Sequence, residues 1–215
     1  VKLAIFDLDG TLTRRDTLFG FLLGFVRAHP ERSWRLIVLP PAMAAYFLGG
    51  RDRGRLKERL TRGLLSGASR AEVASWTEEY VEHVLSHELC PGARSRLARH
   101  REAGDHLVLL SASLDLYVPA IGARLGFHET ICTGVRWNGD RLDGRLTTAN
   151  RRGEEKVRCV EAIRARHPGI EACAYGNDAA DLLHLCRVEH GVLANGNERA
   201  RRAAERLGIP CESWC

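Results

Sequence analysis

The sequence predicts an α/β protein: a three-layer parallel sheet with helices on both faces and a helical cap inserted into it. Three observations carry this. Short apolar runs at 2–8, 106–110, 171–175 and 188–193 alternate with stretches of helical periodicity. Between the first two runs lies a long block, 15–86, that reads as helical and contains no strand. Acids, glycines and hydroxyls gather just after the ends of three runs, the edge where open α/β folds bind ligands. The expected division is a core built from 1–14 and 87–215, with the cap at 15–86. A chain of 215 residues suits one such domain with an insert, and 45% hydrophobic against 27% charged residues excludes a disordered or fibrous chain.

The elements follow in order. Lys2 to Leu8 reads as a buried parallel strand, because it is continuously apolar until it meets acids and Gly10. Residues 16–29 read as a helix capped by Asp16 and apolar nearly all round. A second apolar helix is expected over 33–48, kinked or split at Pro40-Pro41, and a third over 53–65 after the Gly49-Gly50 break. Ser69-x-x-Glu72 is a capping box, followed by Val73, Trp76, Tyr80, Val81 and Val84 at helical spacing. Pro91 opens a short helix that stops at Gly104. His106 to Leu110 is the second strand. Turn signals at Asn138-Gly139 and Asp143-Gly144 predict a small antiparallel excursion over 131–147. A helix over 153–166, strands at 171–175 and 188–193, and a closing helix at 197–207 capped by Gly208 complete the pattern.

Composition narrows the function classes. The net charge is +5, and of 32 basic residues only Lys2, Lys57 and Lys156 are lysines. Arginine interleaved with glutamate reads as a solvated helix surface, and no aromatic–basic stacking pattern accompanies it, so no nucleic-acid partner is expected. None of the seven cysteines forms a CxxC pair and their number is odd. Reduced thiols in a cytoplasmic protein are the expectation, without a zinc site. The apolar start is too short for a signal peptide, and the longest apolar candidate, 36–48, is too short for a span and broken by prolines.

Four clusters carry chemistry. Asp7 and Asp9 end a buried strand, where two carboxylates repel and resist desolvation unless a cation sits between them. A hard dication such as Mg²⁺ prefers such oxygens. Ser111 follows the second strand, and its hydroxyl with the Ala112 N–H suits a phosphate oxygen. Lys156 stands near a helix start, where a compact ammonium suits a point contact to phosphate. Gly176-Asn177-Asp178-Ala179-Ala180-Asp181 puts amide and carboxylate oxygens at a third strand end.

In this order the motifs resemble the haloacid dehalogenase superfamily, and the helical insert resembles its phosphoserine-phosphatase-like branch. The resemblance implies a Rossmann-like core and an aspartyl-phosphate mechanism. Asp7 would be the nucleophile and Asp9 the general acid, then base. An Asp at the second position favours a phosphatase over a dehalogenase. Thr11, Ser111, Ala112 and Lys156 would hold phosphate oxygens. Asp7, the Asp9 carbonyl, Asn177 and Asp178 would hold Mg²⁺, with Gly176 and Asp181 supporting them. Asn177 stands where the family usually has Asp, which removes one charge, and Arg152 is the alternative to Lys156 in the third motif. A catalytically weak phosphate-binding or regulatory module is the competing reading. Asp16 and Arg59 resemble the positions that meet the amine and carboxylate of phosphoserine. The greasy stretch 18–48 resembles more closely the insert of phosphatidylglycerophosphate phosphatases, so the substrate is expected to be a small phosphorylated metabolite or a phospholipid head group. Peripheral membrane contact through the cap stays open.

Overall fold

A computed structural model describes Val1–Cys215. The first strand, β1 (Leu3–Phe6), is buried on both faces. Four helices follow: α1 (Thr17–Ala28), α2 (Leu39–Leu48), α3 (Arg53–Leu65) and α4 (Arg70–His83). A 3₁₀ stretch, Pro30–Val38, precedes α2. The expected 33–48 helix is split at its prolines, with a 3₁₀ stretch on the N-terminal side, because Pro40 lacks an N–H and fits only the first turn of a new helix. After α5 (Pro91–Glu102) comes β2 (His106–Leu114), then α6 (Val118–Arg124) and β3 (Glu129–Thr133). The short strands β4 (Val135–Asn138) and β5 (Arg141–Leu146) form a hairpin. The chain closes with α7 (Glu154–Arg166), β6 (Ala172–Gly176), α8 (Leu182–Leu185), β7 (His190–Ala194), α9 (Glu198–Arg206) and β8 (Cys211–Glu212).

Six strands form one parallel sheet in the order β3-β2-β1-β6-β7-β8. Three points differ from the sequence expectation. β2 runs on to Leu114, so Ser111 lies inside the strand. β3 pairs in parallel with β2 and belongs to the main sheet; only β4 and β5 are antiparallel. Asp143-Gly144 is not a turn but part of β5. Gly144 serves a close approach instead: its φ is +83°, and a Cβ there would lie 2.9 Å from the Arg62 Cα. The hairpin therefore docks on α3, and backbone bonds from Gly67 to Leu142 (2.8 Å) and from Leu142 to Ala68 (2.9 Å) stitch it to the helical block.

Strand alternation sorts the core into two layers. Ala4 and Phe6 join one cluster with Leu109, Tyr175 and the helical block, while Leu3 and Ile5 join another with Val160, Ile163 and Ala204. Phe21 of α1 is fully buried and stacks on Tyr117 at 4.6 Å between ring centroids. Burial of one such ring contributes roughly 1.5–3 kcal/mol. Trp34, Ile37, Phe47 and Leu48 of the same block are exposed. No helix is long and apolar enough to cross a membrane. Cys90 and Cys215 are joined as a disulfide, which overturns the expectation of reduced thiols for that pair; the other five cysteines are free.

Candidate active site

The loops after β1 and β6 and the carboxyl end of β2 open into one cavity of about 510 Å³, lined among others by Asp7, Asp9, Asp16, Ala112, Ser113, Lys156, Asn177, Asp178 and Asp181. Asp7 follows β1 directly, so the central strand of the sheet delivers its carboxylate to the cavity. Helix α7 starts at its far side and brings Lys156, whose side chain is 3% exposed. Its ammonium donates to Asp7 Oδ1 at 2.7 Å and to Asp181 Oδ1 at 2.8 Å. Thr11 Oγ1 donates to the other Asp7 oxygen at 3.1 Å. Asp181 Oδ2 accepts the N–H groups of Asn177 (3.1 Å) and Asp178 (3.0 Å), which fixes the turn after β6.

Electrostatics follow from burial. Desolvation pushes the Asp7 pKa up to about 7, with Asp181 and Asp9 adding repulsion and Lys156 opposing it. Burial disfavours the Lys156 ammonium too, yet Asp181 and Asp7 outweigh that and raise its pKa. Burial also raises Asp181, but Lys156 and the turn N–H groups hold it well below the ordinary carboxylate range. His184 beneath this group is lowered to about 3 by burial and is neutral at neutral pH.

Asp9 is gripped from two sides. Thr17 donates to its Oδ1 through the backbone N–H (2.7 Å) and the hydroxyl (2.6 Å), and Ser113 Oγ donates to its Oδ2 at 2.6 Å. Gly10 lets the loop turn at φ +76°, and any side chain there would collide with Asn177, whose Nδ2 is 2.0 Å from the ideal Cβ position. Asn195 holds the same loop from β7, donating to the Gly10 and Thr11 carbonyls at 3.1 and 3.2 Å.

The donor set fits a hard dication. Asp7, Asn177 and Asp178, residue types with side-chain oxygens, line one cavity together with Asp9. Asp178 is also paired with Arg152 at 2.8 Å. That pairing places Arg152 on the rim, and Lys156 is the cation at Asp7.

Three residues singled out from the sequence stand elsewhere. Arg59 is exposed and does not line the cavity. Lys57, two positions earlier and so about 200° around the helix, takes that inward place. Ser111 is fully buried in β2, where its hydroxyl accepts the Ser113 N–H at 3.0 Å, and the strand's extra residues bring Ser113 to the cavity instead. Thr11 is also fully buried and turns its hydroxyl to Asp7 rather than to the cavity. Sequence reasoning missed Lys57, Ser113 and Asn195. The scarcity of lysine, which drew attention to Lys156, applied equally to Lys57.

The model of the haloacid dehalogenase-like hydrolases matches residues 4–185. The protein CicA of Caulobacter vibrioides is 34% identical over 184 residues, covering 85% of this chain and 81% of that one. A protein of unknown function from Bordetella pertussis Tohama I superposes with a TM-score of 0.85 at 24% identity, over 99% of this chain and 98% of that one. A phospho-aspartyl intermediate analogue of phosphoserine phosphatase superposes at 0.69 with 15% identity, over 100% of this chain and 93% of that one. With its motifs in order along a parallel sheet of the same fold, the chain belongs to the haloacid dehalogenase-like hydrolase family.

Proposed function

We propose that the chain is a Mg²⁺-dependent phosphomonoesterase that works through an aspartyl-phosphate on Asp7. The observation that carries this is the buried Asp7–Lys156–Asp181 arrangement with Asp9 beside it at the end of the central strand. A carboxylate oxygen of Asp7 attacks phosphorus, and the bond from phosphorus to the leaving oxygen breaks. Asp9 enters this step as the neutral acid, gives up one of its present hydrogen bonds, and donates its proton to that oxygen, becoming the carboxylate. Water then attacks the acyl phosphate, Asp9 takes its proton, and phosphate leaves with Asp7 restored. Lys156 offsets negative charge on Asp7 and on the phosphoryl oxygens. When bound by Asp7, the Asp9 carbonyl, Asn177 and Asp178, Mg²⁺ supplies the positive charge that screens carboxylate from phosphate. The complete set of Asp7, Asp9 and Lys156 favours a catalyst over a weak phosphate-binding module.

The test is release of inorganic phosphate from an aryl phosphate by wild type and Asp7→Asn, with and without Mg²⁺. Only wild type with Mg²⁺ is expected to turn over. Equal activity of the two proteins would defeat the reading.

Phosphoserine as substrate loses support, because Arg59 is outside the cavity while Asp16 lines it. Leu18, Phe19, Met43, Tyr46, Leu56 and Leu60 make an apolar part of the cavity wall. That wall favours a leaving group with an apolar part, and exposed Trp34, Ile37, Phe47 and Leu48 on the same block favour a lipid-borne phosphate with the block resting on a membrane surface. A panel of phosphoamino acids, sugar phosphates and phospholipid head groups separates these. Activity confined to phosphoserine would reverse the preference.

A further inference from the structure

Lys57 is the one cavity cation whose bonds cross from the helical block to the sheet. It projects from α3 with 7% of its surface exposed, a costly position for an ammonium. Its Nζ donates to the carbonyl of Ala112 in β2 and to Asn150 Oδ1 at 2.6 Å. Both partners line the cavity. Thr133 Oγ1 donates to the same Ala112 carbonyl at 2.7 Å, so this peptide is held from two sides. The next residue is Ser113, whose N–H is tied to Ser111 and whose hydroxyl holds Asp9 at 2.6 Å. The second Asp9 oxygen is held by Thr17 at the start of α1. The acid–base carboxylate thus spans helical block and sheet, and Lys57 ties the same two bodies together next to it.

We propose that Lys57 is a positioning residue for proton transfer by Asp9: its bond to the Ala112 carbonyl steadies the peptide that leads into Ser113, whose hydroxyl aims Asp9. With α3 seated, the ammonium fixes the Ala112–Ser113 segment and through it the Asp9 carboxylate. Without the ammonium, Thr133 and Ser111 still hold this peptide, but Ala112 and Asn150 lose their cation, and Ser113 loosens its hold on Asp9. Burial lowers the Lys57 pKa to about 8, while Asp9 and Asp16 pull it up and Arg152 and Lys156 push it down. The seated side chain is still an ammonium at neutral pH. The inference rests on the hydrolase reading above and adds to it the part that aims the acid.

The experiment exploits leaving-group chemistry. A nitrophenolate leaves without protonation, whereas an alkoxide needs a proton. Kinetics of wild type, Lys57→Met and Lys57→Arg are measured on 4-nitrophenyl phosphate and on a simple alkyl phosphate. Lys57→Met, which keeps the apolar stem, is expected to lose at least ~10-fold in kcat/KM, which reports only the step that expels the leaving group, on the alkyl ester and less than ~3-fold on the aryl ester, a part of the ~10²–10⁴-fold that general acid catalysis supplies. Lys57→Arg is expected to regain most of the loss. Equal losses on both esters, or none on the alkyl ester, would overturn the proposal. A wild type inactive on both esters would instead sink the hydrolase reading. Hydrogen exchange tests the latch without turnover: amides 113–115 are expected to exchange faster in Lys57→Met than in wild type, and unchanged exchange overturns the latch.

Discussion

Asp9 accepts three hydrogen bonds, from the Thr17 N–H, the Thr17 hydroxyl and the Ser113 hydroxyl. Asp9→Asn keeps the shape but removes the transferable proton. Turnover of an alkyl phosphate is expected to fall by roughly 10²–10⁴-fold. Steady-state kinetics check this, and wild-type turnover would contradict the assignment. At this scale the sequence was readable where chemistry is local. Asp7 and Asp9 stand out because two acids end one apolar run, and Lys156 because lysine is scarce. Ser113 and Lys57 were hidden because their roles depend on geometry. Ser113 reaches the cavity only because β2 runs past Leu110, and Lys57 rather than Arg59 faces inward only because of the helix phase against the sheet.

Helix α4 shows what one element's cap can hold. Ser69 and Glu72 form the reciprocal capping box, and Glu72 also pairs with Arg32 at 3.3 Å and Arg141 at 3.8 Å. One carboxylate thereby links α4, the 3₁₀ stretch and the hairpin. The Ser69 N–H, then its hydroxyl, and Arg32 lower the Glu72 pKa to about 2, from an ordinary 4.5. The folded value lies below the unfolded one, so the ionised group stabilises the fold above pH 4.5 and loses that effect as pH falls through about 2. Glu72→Gln is expected to be less stable than wild type above pH 4.5, with the gap closing toward pH 2 in thermal unfolding. A gap that stays constant over that interval would contradict the account. Elements with strong local signals, such as this box and the Pro91 helix start, were legible in the sequence. β8, two residues long, and β3, whose place in the sheet depends on pairing with β2, were not. Asp143-Gly144 misled because a glycine at positive φ serves a close approach as readily as a turn.

At the scale of the whole molecule, the order of apolar runs and helical stretches was enough to place three motif-bearing strand ends at one edge of a parallel sheet. The tie between the chain's end and its middle was not readable, since pairing of cysteines 125 residues apart leaves no local mark. That tie also backs the site. Asn195 Oδ1 accepts from the Trp214 N–H at 2.7 Å while its Nδ2 grips the loop after β1. Thiol titration of the denatured, unreduced protein is expected to find five of the seven cysteines, and all seven after reduction. Seven before reduction would refute the link.

The proposed hydrolysis depends on Asp7 carrying the phosphoryl group. Crystals grown with Mg²⁺ and soaked in beryllium fluoride test it most directly. The predicted result is beryllium bonded to an Asp7 carboxylate oxygen, with a fluorine beside the Lys156 ammonium. Beryllium bonded to Asp9, or a fluoride complex held away from Asp7, would contradict it.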